Sequence, residues 1–195
     1  KLNFWHSPAD YELAWGHSMK RLMEKYSPET KSVVCGNPAI EKLNVIRDDS
    51  IIGIAMDIPR FKSYNQRIID IAQEYASRNN MHVRIRLHPV DNEINYKINE
   101  TLTEFNNEIN IASFIVAHTT SMIFTYMAQG LTVYKLKSNI SFYDIDQRIC
   151  FDSAETLEQC IKNRKDNISD VKNDQIECIG KESKMLYRKF FDSLK

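Results

Sequence analysis

The sequence shows no excess of either charge: Lys+Arg and Asp+Glu both number 26, so the formal net charge at pH 7 is zero. A general nucleic-acid-binding protein carries a strong basic excess, and the balance argues against that class while allowing a small local anion site. No apolar run approaches the roughly 18–20 residues of a membrane span, and no signal peptide is recognisable. The 195 residues, 43% of them hydrophobic, suffice for one good core or two small lobes.

Cysteine is also scarce, and its spacing excludes two classes of site. The four cysteines, Cys35, Cys150, Cys160 and Cys178, form no CxxC pair and have no histidine at a zinc-ligand spacing. A zinc site and a disulfide framework are therefore not expected. Because disulfide-poor chains are typical of reducing compartments, we expect a cytoplasmic protein.

Two nucleotide-binding motifs are missing. The sequence contains neither GxxxxGK[ST] nor GxGxxG. Walker-type ATPases and simple dinucleotide dehydrogenases depend on these glycine-rich turns, so both classes are disfavoured.

The sequence does contain a regular alternation of two periodicities. Strand patterns cover residues 9–16, 31–38, 50–59, 83–88, 112–121, 131–137 and 148–152, and helical patterns cover residues 17–26, 64–80, 93–107, 122–130, 153–165 and 171–194. Ser18 is a candidate N-cap, and Gly130 is a candidate C′ glycine. Alternation of this kind predicts an α/β fold, a Rossmann-like doubly wound parallel sheet.

One boundary interrupts the pattern near residues 38–50. We therefore place a boundary between a lead-in segment, residues 1–49, and a Rossmann-like domain, residues 50–195, which carries the C-terminal helix.

Polar residues follow three of the predicted strands, where ligands bind in such sheets. The segment HVRIRLHPVD ends one strand with Arg86, His88 and Pro89. His88 could donate to a phosphate, Arg86 could add a bidentate fork, and Pro89 would hold His88 extended. The ordinary alternative is an edge strand with one solvated face.

The segment AHTTSM follows a second strand and contains His118, Thr119, Thr120 and Ser121. Hydroxyl residues at a strand-to-helix turn suit a phosphate, although Thr120 or Ser121 would also serve as an ordinary N-cap. His118 either faces the cleft or is a satisfied structural histidine. Asp57, in MDIPR after a third strand, is interpreted as a turn or cap residue.

The segment YDID supplies Asp144 and Asp146 in the DxD spacing of a divalent-cation site. A solvated loop is the favoured interpretation, because short motifs of this kind often occur by chance. No metal is expected.

Taken in order, five segments resemble the C-terminal half of a GT-B glycosyltransferase. They are WGHSMKRLMEKY…SVVCGNP, SIIGIAMDIP, VRIRLHP, FIVAHTTSMIFTYMAQGLTVYKL and CFDSAETLEQCI. The similarity is to the bacterial capsule and surface-polysaccharide type, which includes polysialyltransferase-like enzymes and CDP-glycerol glycerophosphotransferases. It extends over nearly the whole chain from Trp15 onward. The resemblance implies that residues 1–49 are the remnant of an N-terminal lobe with a linker and lead-in helix, and that residues 50–195 are a Rossmann-like nucleotide-sugar-binding domain with the C-terminal helix.

This resemblance implies an enzyme that transfers a sugar from a CMP-, UDP- or CDP-linked donor to a glycan acceptor, without a further cofactor. It implies that His88 and Pro89 contact the donor phosphate and help the nucleotide to leave. Thr119, Thr120 and Ser121 would hold the phosphates at the helix N-terminus.

The resemblance also implies partners. A complete GT-B enzyme has an N-terminal domain that holds the acceptor and usually the catalytic base, and here only FWHSPADYELAWG corresponds to its end. The basic C-terminal helix would allow peripheral contact with the inner face of the cell membrane. Two other functions stay open: a nucleotide-sugar 2-epimerase, and a non-catalytic protein-docking module.

Overall fold

A computed structural model describes residues 9–43, 46–140, 145–163, 172 and 174–195. In these residues the strands are β1 (Tyr11–Ala14), β2 (Lys31–Val34), β3 (Asp48–Ala55), β4 (His82–Arg86), β5 (Thr103–Phe105), β6 (Ala112–Ala117), β7 (Val133–Leu136) and β8 (Cys150–Phe151). The helices are α1 (His17–Tyr26), α2 (Lys62–Asn79), α3 (Met122–Ala128), α4 (Ala154–Lys162) and α5 (Gly180–Asp192). Single 3₁₀ turns cover Pro59–Phe61, Glu93–Asn95 and Gln147–Ile149.

Six strands form one parallel sheet in the order β5-β4-β3-β6-β7-β8. The chain enters at β3, moves outward to β5, then returns to the other side of β3 and moves outward again to β8. Because such crossovers are right-handed, the step from β3 towards β5 places α2 on one face of the sheet. The step from β6 towards β8, in the opposite direction, places α3 on the other face. The predicted α/β, Rossmann-like architecture is therefore confirmed, and its topological switch point lies between β3 and β6.

The central strand β3 is buried along its carboxyl half, as its continuous apolar run predicts. Ile52 and Ile54 are fully buried, and Ala55 is 2% exposed. Gly53 sits where a Cβ atom would come within 2.4 Å of Ile115 Cδ1. The missing side chain thus allows β3 and β6 to pack closely at the switch point.

Helices α2 and α4 pack against each other on one face of the sheet. Tyr75 of α2 meets Phe114 of β6 edge-to-face, with ring centroids 5.9 Å apart. Helix α4 begins at a capping box in which Ser153 and Thr156 satisfy each other's backbone N–H groups, a device that stabilises a helix start. At the end of α3, Gly130 adopts a φ of 87°, which confirms it as the C′ glycine.

Strands β1 and β2 form a separate two-stranded parallel sheet joined by α1. Helix α5 packs on this unit: Ser183 donates a hydrogen bond of 2.7 Å to the Cys35 carbonyl, and the rings of Tyr11 and Phe190 lie 5.2 Å apart. Gly36 has a φ of 72°, and a Cβ there would lie 2.1 Å from the Cys178 carbonyl oxygen. The C-terminal helix thus contacts the N-terminal segment.

Two local predictions are wrong. The helix predicted over 93–107 is absent from the structure, because the segment forms one 3₁₀ turn and then β5, which pairs with β4. Ser18 is not an N-cap: Gly16 occupies that position, and Ser18 is buried with its hydroxyl 2.8 Å from Gln175 Oε1. The helix predicted over 171–194 is confirmed in α5, over Gly180–Asp192, and residues 171 and 173 lie outside the described residues.

No helix in the described part of the chain has both the length and the apolar composition needed to cross a bilayer. The four cysteines are free thiols.

Candidate functional site

A cavity of about 210 Å³ opens at the carboxyl rim of the large sheet, next to the switch point. The chain segments that follow β3, β4 and β6 line it. The lining residues are Ala55, Met56, Arg86, Leu87, His88, Pro89, Thr120, Ser121 and Met122. The structure therefore brings together five of the seven residues predicted for the site, from segments more than 30 positions apart in the sequence.

Arg86 supplies the positive charge of this cavity. The arginines of β4 alternate with the fully buried Val83 and Ile85, and their partners differ. Arg84 is bound across the sheet, with its Nε 2.6 Å from Glu104 Oε1. Arg86 donates from Nη1 to the Tyr126 hydroxyl at 3.0 Å and contacts Met122 Sδ through the same nitrogen. Its Nε and Nη2 have no partner among the described residues, so they can meet an anion in two-pronged geometry.

His88 stands at the start of a tight turn with Pro89 in its second position. The turn is closed by the Asp91 N–H, which donates to the His88 carbonyl at 2.9 Å; proline is favoured at that position because its φ is already fixed. The Val90 N–H lies 3.4 Å from His88 Nδ1. With Nδ1 as the acceptor of this contact, the neutral ring carries its proton on Nε2, which is then the donor that His88 can offer to a ligand.

Asp91 is itself held firmly beside this histidine. Burial raises the pKa of the Asp91 carboxyl, but hydrogen bonds from Tyr96, Asn95 and the Asn92 N–H outweigh it and bring the pKa below its ordinary value. Burial and the hydrogen bond to Asp91 together raise the pKa of Tyr96 to about 12. The turn that carries His88 therefore ends on an ionised carboxylate at neutral pH.

The opposite wall of the cavity is the hydroxyl turn before α3. Thr120 Oγ1 accepts a hydrogen bond of 3.3 Å from the Met122 N–H, as an ordinary cap would. Ser121 is exposed and makes no side-chain cap bond. Because α3 has only seven residues, the partial charge at its start is modest.

His118 and Thr119 face away from this cavity into a buried cluster. Asp57 Oδ2 accepts from the Thr119 N–H at 2.8 Å and from its hydroxyl at 2.9 Å, and lies 3.0 Å from His118 Nδ1. The His118 side chain is 0% exposed and that of Asp57 is 6% exposed. Of the two interpretations of His118, the satisfied structural histidine describes what the structure shows.

The His118 ring is enclosed on its other sides. Tyr64 stacks on it at a centroid distance of 4.3 Å, Phe61 meets it edge-on, and Nε2 lies 2.7 Å from Ser138 Oγ. This carboxylate–imidazole–hydroxyl order also occurs in hydrolytic triads. Here the Ser138 hydroxyl donates to the Ile140 carbonyl at 3.0 Å. The three groups therefore connect the loops that carry them and hold these loops together.

Sequence reasoning missed two residues at this rim. The sequence pattern predicts that Asp57 is a turn or cap residue, whereas its carboxylate is the centre of the buried cluster. Lys135 of β7 is 5% exposed, and its Nζ donates to the Leu136 carbonyl at 3.1 Å. Burial lowers the pKa of Lys135, and Cys150 and Asp57 oppose that shift. A charged residue within a predicted buried strand was the available signal for Lys135.

Larger cavities also lie elsewhere among the described residues. One of about 610 Å³ is bordered by α5 and the end of α3, and another of about 380 Å³ lies at the amino end of β3 and β4. We assign the site to the smaller rim cavity, because ligands of such sheets bind at the carboxyl ends of the strands.

Metal ligands are absent from the described residues: no three histidine, cysteine or acidic side chains there could hold an ion together. Asp146 binds Arg148 through a contact of 2.6 Å, as a loop residue does. Its predicted DxD partner, Asp144, lies outside the described residues.

Comparison with known proteins supports the fold at the level of architecture. No family model matches the chain, and no curated protein matches its sequence significantly. The chain is an α/β, Rossmann-like domain, and its fold is similar to part of a chain in one solved structure.

That solved structure is described as the crystal structure of the GtfA/B complex. One of its chains is similar to this protein with a TM-score of 0.57 and 8% sequence identity, over 94% of this chain and 45% of that chain. At this identity the likeness is one of fold. The protein spans less than half the length of the chain that it matches.

Proposed function

We propose that this chain is the donor-binding half of a GT-B glycosyltransferase and that its rim cavity binds the phosphate of a nucleotide-activated sugar. The observation that carries the proposal is the convergence of Arg86 and His88 with Thr120 and Ser121 on one cavity. The cavity opens at the switch point, where folds of this kind bind their ligands.

The chemistry that such a site supports is stabilisation of a leaving phosphate. The bond between the sugar's anomeric carbon and the phosphate oxygen breaks, and the oxygen of an acceptor hydroxyl forms the new bond to that carbon. The departing nucleotide keeps the bonding electrons and gains negative charge. Arg86 and His88 would donate hydrogen bonds to this charge as it develops, while the acceptor's proton goes to a base on the other lobe.

The finer proposal concerns substrate and setting. The ordered segments that resemble capsule and surface-polysaccharide enzymes favour a CMP-, UDP- or CDP-linked donor and a glycan acceptor. An acceptor-binding N-terminal domain as a partner is part of this proposal. A cytoplasmic enzyme at the inner membrane face, with no cofactor besides its nucleotide-sugar substrate, fits this proposal.

Calorimetric titration with CMP, CDP and UDP tests the proposal directly. Arg86→Met should weaken binding roughly 10- to 100-fold, the effect of removing a charge-assisted hydrogen-bonding group. Arg84→Met is the matched control, because Arg84 lies on the same strand and face but is bound to Glu104. The corresponding uncharged nucleosides should bind both variants equally.

The proposal is contradicted if none of the three nucleotides binds the wild-type protein. Equal nucleotide affinity in Arg86→Met and Arg84→Met would contradict the assigned cavity.

A further inference from the structure

A continuous chain of hydrogen bonds, buried at its centre and part-buried at both ends, joins the loops that follow β7, β6, β3 and β4. Its members are Ser138, His118, Asp57, Asn65, Tyr96 and Asp91. The first three form the buried cluster described above. The other three extend it to the turn that carries His88.

Asn65, at the start of α2, connects the two parts. It is fully buried, and its side chain accepts from the Asp57 N–H at 3.1 Å and donates to the Asp57 carbonyl at 3.0 Å. The same amide nitrogen lies 3.0 Å from the Tyr96 hydroxyl. One amide group therefore holds the backbone after β3 and the loop after β4 at the same time.

Tyr96 connects Asn65 to Asp91. Its hydroxyl donates to Asp91 Oδ2, while Asp91 Oδ1 accepts from the Asn92 N–H at 2.8 Å and from Asn95 at 2.9 Å. The Asp91 N–H closes the turn that begins at His88. The conformation of that turn thus depends on how Asp91 is held.

Both walls of the rim cavity depend on this chain. At one end, Asp57 fixes the Thr119 N–H, directly before Thr120. At the other end, Asp91 fixes the His88 turn. A fully satisfied buried polar network is rigid, so it can keep two loops from different strands at a constant separation.

We propose that Asp57, Asn65 and Tyr96 are positioning residues, which couple the His88 turn to the hydroxyl turn and hold both ready for a single phosphate group. The choice of a phosphate as the ligand rests on the function proposed above, whereas the coupling of the two turns does not. The coupling predicts that a change at one end of the chain alters the other wall of the cavity.

Tyr96→Phe cuts the chain at its middle without changing the shape of the side chain. Tyr75→Phe is the matched control, because Tyr75 is similarly buried, at 7% exposed against 8% for Tyr96, and packs on Phe114 away from the chain. Amide hydrogen exchange by mass spectrometry is measured on peptides covering residues 88–92 and 118–122. Tyr96→Phe should speed exchange in both peptides, and Tyr75→Phe in neither.

Pyrophosphate affinity gives the second readout. Tyr96→Phe should weaken pyrophosphate binding roughly three- to tenfold, because about one hydrogen bond that positions the site is lost. Asp91→Asn, at the less buried end of the chain, provides a second cut and should change both peptides in the same direction. It keeps the inference testable if Tyr96→Phe fails to fold.

Faster exchange in residues 88–92 alone would overturn the coupling, as would equal changes in Tyr75→Phe. If both peptides respond but wild-type protein binds neither pyrophosphate nor nucleotides, the coupling stands and the proposed function fails. If wild type binds and the peptides do not respond together, the function stands and the coupling fails.

Discussion

The two histidines at the rim share a sequence setting but differ in role. His88 and His118 each follow a central strand closely. The His118 side chain is fully buried between Asp57 and Ser138, whereas His88 is half-buried and lines an open cavity. A histidine whose two nitrogens are both occupied holds loops together. One whose Nε2 is open can meet a ligand.

The same contrast separates the hydroxyl residues. Thr119 gives its N–H and its hydroxyl to Asp57, while Thr120 and Ser121 line the cavity. Neighbouring residues of one turn thus have different roles: Thr119 holds the turn in place, and Thr120 and Ser121 are open to a ligand. Changes in the buried cluster should mainly cost stability, and changes in the cavity should mainly cost anion affinity.

The largest expected effect is on stability, at Asp57. Asp57→Ala leaves the Thr119 N–H, the Thr119 hydroxyl and His118 Nδ1 without their acceptor in a buried site, so we expect a loss of about 3–5 kcal/mol in the free energy of unfolding. Urea denaturation followed by circular dichroism measures it. Asp48→Ala, at the exposed opposite end of the same strand, should change stability far less, and equal losses would contradict the role of Asp57.

The two histidines should give opposite results. His118→Ala should cost about 3–5 kcal/mol, because it leaves the buried Asp57 carboxylate without its imidazole partner. His88→Ala should change stability by no more than about 0.5 kcal/mol but weaken pyrophosphate binding roughly fivefold. Denaturation and calorimetry on the same two variants check this. A stability loss in His88→Ala as large as that in His118→Ala would break the comparison.

The smallest expected effect is an alkaline titration. Because folding raises the pKa of Tyr96 to about 12, its neutral form contributes stability that is complete below about pH 10. That contribution is lost as the pH rises through about 12. The difference between the ultraviolet titration curves of wild type and Tyr96→Phe should show one phenol that ionises near pH 12. If that phenol instead titrates near pH 10, Tyr96 is not held by Asp91.

The sequence was informative wherever a local pattern decides structure. The continuous apolar run before Asp57 predicted a buried central strand, and the VRIRLHP segment predicted a strand that ends on a polar turn. The short strand Thr103–Phe105 was missed because three residues, one of them charged, carry too little periodicity to outweigh a helical pattern. Pairing with β4 decides its conformation.

The division of the site into open and buried parts could not be predicted. Asp57 and His118 stand 61 positions apart and meet only because β6 returns beside β3, a consequence of topology. Arg84 and Arg86 likewise look equivalent in the sequence. Their difference comes from Glu104 on the neighbouring strand, which binds one and not the other.

The most direct test of the central claim is where a nucleotide binds. Two-dimensional NMR of the isotope-labelled protein, titrated with CDP, reports which residues respond. We expect the largest shifts in the backbone amides of His88, Thr120 and Ser121 and in the Arg86 side chain, with smaller changes around Asp57. Shifts confined to the larger cavity beside α5, or no shifts at saturating CDP, would contradict the account.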